Sequence, residues 1–287
     1  MTVQGPEVDV GEMVLHHTAD AYSLDFYPLG HIEWHRWPDV HIGSFALNLT
    51  PTKHVAFMVL AATLVFLTMK LAGMALARQR AGERAPRGFA AAIEGLVLWV
   101  RNDIAIANIG HDGAKFAPLV MTLFFFILYA NILGLLPWGS AATGNLAVTG
   151  ALAVLVFFTV EISGMVKLGP GGYLRTISPK VPGLSGAGGA VMSVAITPIE
   201  IIGKLVKPFA LAVRLFGNMT AGHFVILSLF GIVFLFGQLG VWSWAIGVVT
   251  AALVTGFMLL ELFVAFLQAY VFALLTAVFI GLMQHEH

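Results

Sequence analysis

Cysteine is missing from all 287 residues, which removes disulfide staples, thiol nucleophiles and thiolate metal sites from consideration. Charge is nearly as scarce. Only 10% of residues are Asp, Glu, Lys or Arg against 59% hydrophobic, and mean hydropathy is +0.89. A chain this apolar belongs in a bilayer. No Gly-x-x-x-x-Gly-Lys-Ser/Thr loop occurs, so phosphate chemistry of that kind is excluded. Nor is there an internal repeat of the sort common in secondary transporters. The N-terminus is acidic and lacks an early apolar core, which fits neither a secretory signal nor a transit peptide.

The few charges are unevenly placed. Residues 1–50 hold seven acids and one arginine, whereas residues 70–101 hold six bases and two acids. The positive-inside rule puts the second stretch in the cytoplasm and the first outside. The expected fold is an all-α, polytopic membrane protein, with residues 1–50 an extracytoplasmic segment and residues 51–287 a membrane domain. In the first segment Pro6, Pro28 and Pro38 break any periodicity, and His16, His17, His31, His35 and His41 are scattered. His31-x-Glu33-x-His35 would share one face on a strand, but the spacing is a weak metal signal. A solvated or lipid-surface segment without a metal is expected there.

Membrane spans are predicted at about 55–76, 116–137, 146–166, 190–236 and 242–283. An interfacial helix over 89–108 alternates apolar and polar positions around Glu94, Arg101 and Asp103. Leu136-Pro137-Trp138 ends the second span, and Gly139–Asn145 turns a helical hairpin. Lys167, Arg175 and Lys180 fall in a Gly/Pro-rich loop reaching Gly189, close to Arg78, Arg80, Arg84 and Arg87 in sign and side. Five crossings leave the N-terminus outside and His285-Glu286-His287 inside. From Pro198 to Phe236 about 39 residues measure about 58 Å against a hydrocarbon core of about 30 Å. A straight helix of that length must tilt by roughly 60°, and the last span has the same excess.

Two carboxylates near the cytoplasmic side admit two readings each. Glu161 either lines a water path or snorkels to the interface. Thr197-Pro198-Ile199-Glu200 has the form of a capping box opening a helix, and the alternative is a functional Glu200. Arg214 is less ambiguous. It is the sole formal charge between Lys207 and Glu261, and near mid-bilayer it costs several kcal/mol unless water or a partner meets it. Helical spacing puts Gly203, Lys207, Ala210, Gly217, Asn218, Ala221 and Val225 on its face. Small residues in that pattern let another helix approach closely. Either Arg214 packs in a buried ion pair, or a partner helix carrying a carboxylate passes this face. His223 lies about 180° around the same helix, and Gln268 shares a face with Glu261 seven residues before it.

Arg214-Leu215-Phe216-Gly217-Asn218-Met219, with Ala221-Gly222 following and Glu261 and Gln268 on the last helix, resembles subunit a of the rotary proton-translocating ATP synthase. The likeness is strongest over residues 195–285, weaker over 50–195, and absent from 1–50. It implies a stator with two long tilted antiparallel helices facing a rotor ring and two offset half-channels serving the ring's carboxylates. It further implies that Arg214 faces the ring, that Asn218, His223, Glu261 and Gln268 belong to the outer half-channel, and that Glu200 belongs to the cytoplasmic one. Glu161 joins Glu200 on position alone. A common bacterial arrangement of the family resembles Glu at the place of His223 and His at that of Glu261; here the two are exchanged. The implied partners are the c-ring, b-type peripheral stalk subunits, the soluble ATPase sector and lipid. No nucleic acid, cofactor or metal is implied, and nucleotide chemistry falls to other subunits, so the chain is not itself an enzyme. The implied location is a bacterial inner membrane. The rivals are a stand-alone ion-coupled transporter pairing Arg214 with Glu261, and a structural anchor.

Overall fold

Long apolar runs bounded by glycine and proline set the architecture, since in lipid each backbone polar group must be satisfied within its own helix. The computed structural model describes residues 20–26, 30–42, 45–48, 50–80, 88–136, 139–178, 187–236 and 241–285. Helix α1 is Lys53–Arg80 and α2 is Phe89–Trp99, which continues through a π-helical stretch, Val100–Ile106, and a single turn, Ala107–Ile109. Then come α3, Gly113–Gly134, a 3₁₀ turn at Ala142–Gly144, α4, Leu146–Ile177, α5, Ala187–Phe236, and α6, Val241–His285. Helices α1, α3, α4, α5 and α6 are each long and apolar enough to cross a membrane. The chain is thus an all-α polytopic membrane protein. With 50 and 45 residues, α5 and α6 have contours of roughly 75 and 68 Å, more than twice a bilayer core.

Three local expectations change. First, the N-terminal segment is not irregular throughout, because it forms two short antiparallel hairpins. Strand β1, Ser23–Phe26, pairs with β2, Gly30–Glu33, from Ser23↔Glu33 to Phe26↔Gly30, and β3, Val40–Ile42, pairs with β4, Phe45–Leu47. His31 and Glu33 lie in β2 but His35 lies beyond it, so the three do not share one strand. Among the described residues no three His, Asp or Glu side chains are placed to hold a metal. His16, His17, Arg84, Arg87, Pro137-Trp138, Lys180, Glu286 and His287 lie outside the described residues.

Second, α4 extends past residue 166 by breaking and restarting. Gly169 has φ 70° and ψ 167°, a left-handed conformation in which glycine alone is unstrained, and Pro170 then opens a second helical piece. Lys167 and Arg175 are therefore helical rather than in a loop. Third, α5 begins at Ala187 and runs through Pro198 and Pro208. Thr197 Oγ1 donates to the Ser193 carbonyl at 2.9 Å, a bond back to the preceding turn and not an N-cap. The capping-box reading of Glu200 is thereby corrected. A proline removes one intrahelical bond, and apolar residues on both sides keep the helix going.

The chain divides into two compact units. One comprises Met1–Thr63, Ile127–Asn145 and Leu215–Leu267; the other comprises Leu64–Phe126, Leu146–Arg214 and Gln268–His287. The core of the first includes Ile127, Ala130, Leu215, Met219 and Ala265. That of the second includes Ile104, Ile109, Phe124, Phe272 and Ile280, with Trp99 stacked on Tyr270 at 5.6 Å between ring centres. Also in the second unit, Gly281 lies so close to the Asn108 carbonyl that no side chain would fit there.

Just before α3, Asp112 Oδ1 accepts from Lys115 Nζ at 2.7 Å and Oδ2 from Lys167 Nζ at 2.6 Å. These hydrogen bonds, from Lys115 first and then Lys167, hold the Asp112 carboxyl down at about 2. A depressed carboxyl stabilises the fold above its unfolded value of about 3.9 and stops doing so as pH falls through its folded value. Asp112→Asn is therefore expected to lower the thermal unfolding midpoint in detergent modestly at pH 6, with the difference from wild type closing between about pH 4 and pH 2. A difference that is constant across that range would show that the ion pairs are not its source.

Candidate functional site

In the first unit a carboxylate is kept unusually dry. Glu261 on α6 is 4% exposed, and neither of its oxygens accepts a hydrogen bond among the described residues. Its nearest charged neighbour is His223 on α5, whose Nδ1 stands 3.6 Å from Glu261 Oε1. Gly222 makes the approach possible, because a Cβ built there would run into the Glu261 carboxylate. One turn further along α6, the Ala265 carbonyl accepts from Asn131 Nδ2 at 3.3 Å, and Asn131 Oδ1 accepts from Thr143 Oγ1 at 2.6 Å. Both Asn131 and Thr143 are fully buried. The amide from α3 and the hydroxyl from the hairpin link thus fix the turn of α6 that carries Glu261. The sequence alone assigns neither residue a role.

The second unit holds a largely apolar cavity with four charged side chains in its wall. Its walls come from α4, α5 and α6 and include Glu161, Glu200, Lys204, Lys207 and Phe279. The volume open to water centres is about 60 Å³, room for about four waters. Glu161 is nearly enclosed: Tyr173 Oη donates to its Oε2, and Lys204 Nζ lies 3.8 Å from the same oxygen. Lys204 also donates to Thr176 Oγ1 at 3.1 Å and sits over the Tyr173 ring at 4.8 Å. On a straight helix Tyr173 would stand roughly 18 Å along the axis from Glu161. The break at Gly169 folds the second piece of α4 back and brings the phenol to the carboxylate. Glu161 and Glu200, predicted separately, thus meet at one cavity. Lys204 and Tyr173 were missed; the only sequence signal was a lysine inside an apolar helix. Gln268, also in this unit, is 4% exposed.

Arg214, by contrast, is exposed and has neither an ion pair nor a hydrogen bond among the described residues. Lys207, Ala210, Asn218, Ala221 and Val225, the residues expected to share its face, are exposed as well. A Cβ on Gly203 or Gly217 would meet nothing within 4 Å. The most apolar part of α5 is 11% buried, against 56% for α3, so α5 is left for lipid or another chain to cover.

These glycines separate experimentally. Gly222→Ala is expected to overpack against Glu261 and cost about 1–3 kcal/mol. Gly203→Ala and Gly217→Ala should be neutral or stabilise by up to about 1 kcal/mol through helix propensity. Unfolding of the purified chain in mixed micelles measures all three, and equal effects would contradict the close approach at Gly222.

Comparison with known proteins shows the family. The family described as ATP synthase A chain matches residues 55–281. The ATP synthase subunit a of Chloroherpeton thalassium is 41% identical over 273 residues, covering 95% of this chain and 77% of the relative. Those of Anaeromyxobacter dehalogenans and Myxococcus xanthus are 41% and 44% identical, over 96% and 84% of this chain and 71% and 76% of the relatives. The family match begins within α1 and ends within α6, and the chain belongs to the ATP synthase A chain family.

Proposed function

We propose that this membrane subunit of an ATP synthase is the stator of its proton motor and forms two offset half-channels against a rotating ring of subunits, each bearing one carboxylate. The observation that carries the reading is Arg214, exposed on an uncovered helix with no anion to meet it among the described residues. A mobile carboxylate on a second subunit supplies what the site lacks. The stand-alone transporter, which needs an Arg214–Glu261 pair, has no comparable support.

Protons enter from the outer side past Glu261, His223, Gln268 and Asn218 and neutralise a ring carboxylate that has just left Arg214. The neutral carboxyl turns into lipid at little cost. After almost a full turn it reaches cytoplasmic water at the cavity of Glu200 and Glu161, releases its proton, and returns to Arg214 as an anion. A guanidinium suits this task because it keeps its charge and passes no protons, and its planar fork matches a carboxylate. The small residues around it allow the ring helix to come close. In this reading the partners are the c-ring, b-type stalk subunits and the soluble ATPase sector, where the nucleotide chemistry takes place. The N-terminus lies outside and the C-terminus in the cytoplasm of a bacterial inner membrane.

With Arg214 in place, a carboxyl cannot carry its proton straight from one half-channel to the other, since the ion pair it meets between them requires the proton's loss. Arg214→Ala is expected to abolish proton-driven ATP synthesis and ATP-driven pumping while passive leak through the membrane sector persists or rises. Glu261→Ala should instead lower driven and passive flux together. ATP synthesis and leak measured in the same inverted vesicles check both, and substantial coupled synthesis by Arg214→Ala would sink the assignment.

A further inference from the structure

Where α3 begins and the first piece of α4 ends, a pair of lysines stands outside the proton path. Asp112 takes Lys115 Nζ on one oxygen at 2.7 Å and Lys167 Nζ on the other at 2.6 Å, so a single carboxylate holds two ammonium groups side by side. Two cations against one anion leave a net positive charge. The lysine side chains are 77% and 46% exposed, while Asp112 beneath them is 11% exposed. An ammonium has three N–H donors, and each lysine gives one to Asp112, so both keep donors for a second anion. As a tie between segments Lys167 is enough. Lys115, three residues from Asp112, adds charge rather than connection.

The pair also has a definite depth. Lys115 is in the first turn of α3, and Lys167 is in the last turn of α4 before the break at Gly169. With 22 residues, α3 has a contour of roughly 33 Å, and the first piece of α4 is about as long. That matches a hydrocarbon core of about 30 Å, so the ends of both pieces fall at the level of the lipid headgroups. From Lys167 an apolar stripe leads back along α4: Val166 is 80% exposed, and Ile162, Phe158 and Leu155 are exposed as well. Steps of three and four residues put these side chains on one face, turned away from Val156 and Val160, which line the cavity. Lysines, carboxylate and stripe all belong to the second compact unit.

We infer that this is a binding site for an anionic phospholipid, whose phosphate bridges Lys115 and Lys167 and one of whose acyl chains lies along Val166, Ile162 and Phe158. The site does not depend on the half-channel reading. Basic groups between membrane helices at headgroup level select anionic lipids, and each lysine there is worth a factor of about five in binding. The stripe fixes the source of the phosphate. A free anion would engage the lysines alone and leave the large apolar side chains beside them uncovered, whereas a lipid satisfies both. A zwitterionic headgroup brings its own cation, which the two ammonium groups repel, so a headgroup of net negative charge is preferred. Asp112 sets the spacing of the lysines and keeps two like charges together before any lipid arrives.

The test uses the whole complex in phosphatidylcholine vesicles that contain a trace of phosphatidylglycerol with a photoactivatable group in its acyl chain. After illumination, peptide mass spectrometry reads the label on residues 155–166, with equally photoactivatable phosphatidylcholine as the reference. Phosphatidylglycerol should label this stretch several times more strongly than phosphatidylcholine. Lys115→Gln should remove most of that excess and the double change with Lys167→Gln all of it, while Lys70→Gln, at an exposed lysine of α1, should leave it in place. Equal labelling by the two lipids would overturn the site, as would an excess that survives both lysine changes or falls equally with Lys70→Gln. So would the absence of label from either lipid, which would show that another subunit covers the stripe. Should Lys167→Gln fail to assemble, Lys115→Gln decides, because its side chain is largely exposed and its ion pair is local: loss of the excess supports the site, and an unchanged excess overturns it.

Discussion

A guanidinium at membrane depth that meets no anion among the described residues is the constraint to which the rest of this structure answers. Even the lowest estimates put such a group at about 2.5–3.5 kcal/mol, a sizeable part of the roughly 5–15 kcal/mol that separates folded from unfolded domains. A chain does not keep that cost for packing, since leucine would pack as well. Around Arg214 the helix carries alanine, glycine and asparagine and is left uncovered. In the proposed function another chain finishes this surface by bringing a negative charge to it.

The carboxylates show how one functional group takes different tasks from different surroundings. Asp112 is clamped by two lysines and serves as a tie between segments. Glu161 is held by a phenol and an ammonium at the wall of a cavity that Glu200 faces with fewer restraints. Glu261 has only a histidine beside it and accepts no hydrogen bond among the described residues. In the proposed mechanism this sparsely partnered carboxylate is the one that takes up and releases a proton in each cycle.

Much of this was legible in the sequence because lipid imposes a strong, regular pattern. The apolar runs marked the helices, and a single arginine between Lys207 and Glu261 marked the site. The failures were local. Pro198 was read as a helix start because its neighbours form a good cap, yet the helix had already begun at Ala187. The two N-terminal hairpins were hidden by prolines and by strands of only three or four residues. The Tyr173 and Lys204 partners of Glu161 were out of reach of any periodicity argument, because their meeting depends on a chain reversal at one backbone torsion.

That reversal carries a consequence for how inheritance would read this protein. Gly169 has no polar side chain, stores no charge and touches no proton, yet its left-handed φ places the Tyr173 hydroxyl on Glu161. Any other residue would resist that torsion and straighten or displace the end of α4. Selection acting on the cavity therefore falls on an inert hydrogen atom in a different turn of the chain, and if the cavity serves as the proposed proton exit, a genetic screen for defects of that exit would return Gly169 beside Glu161.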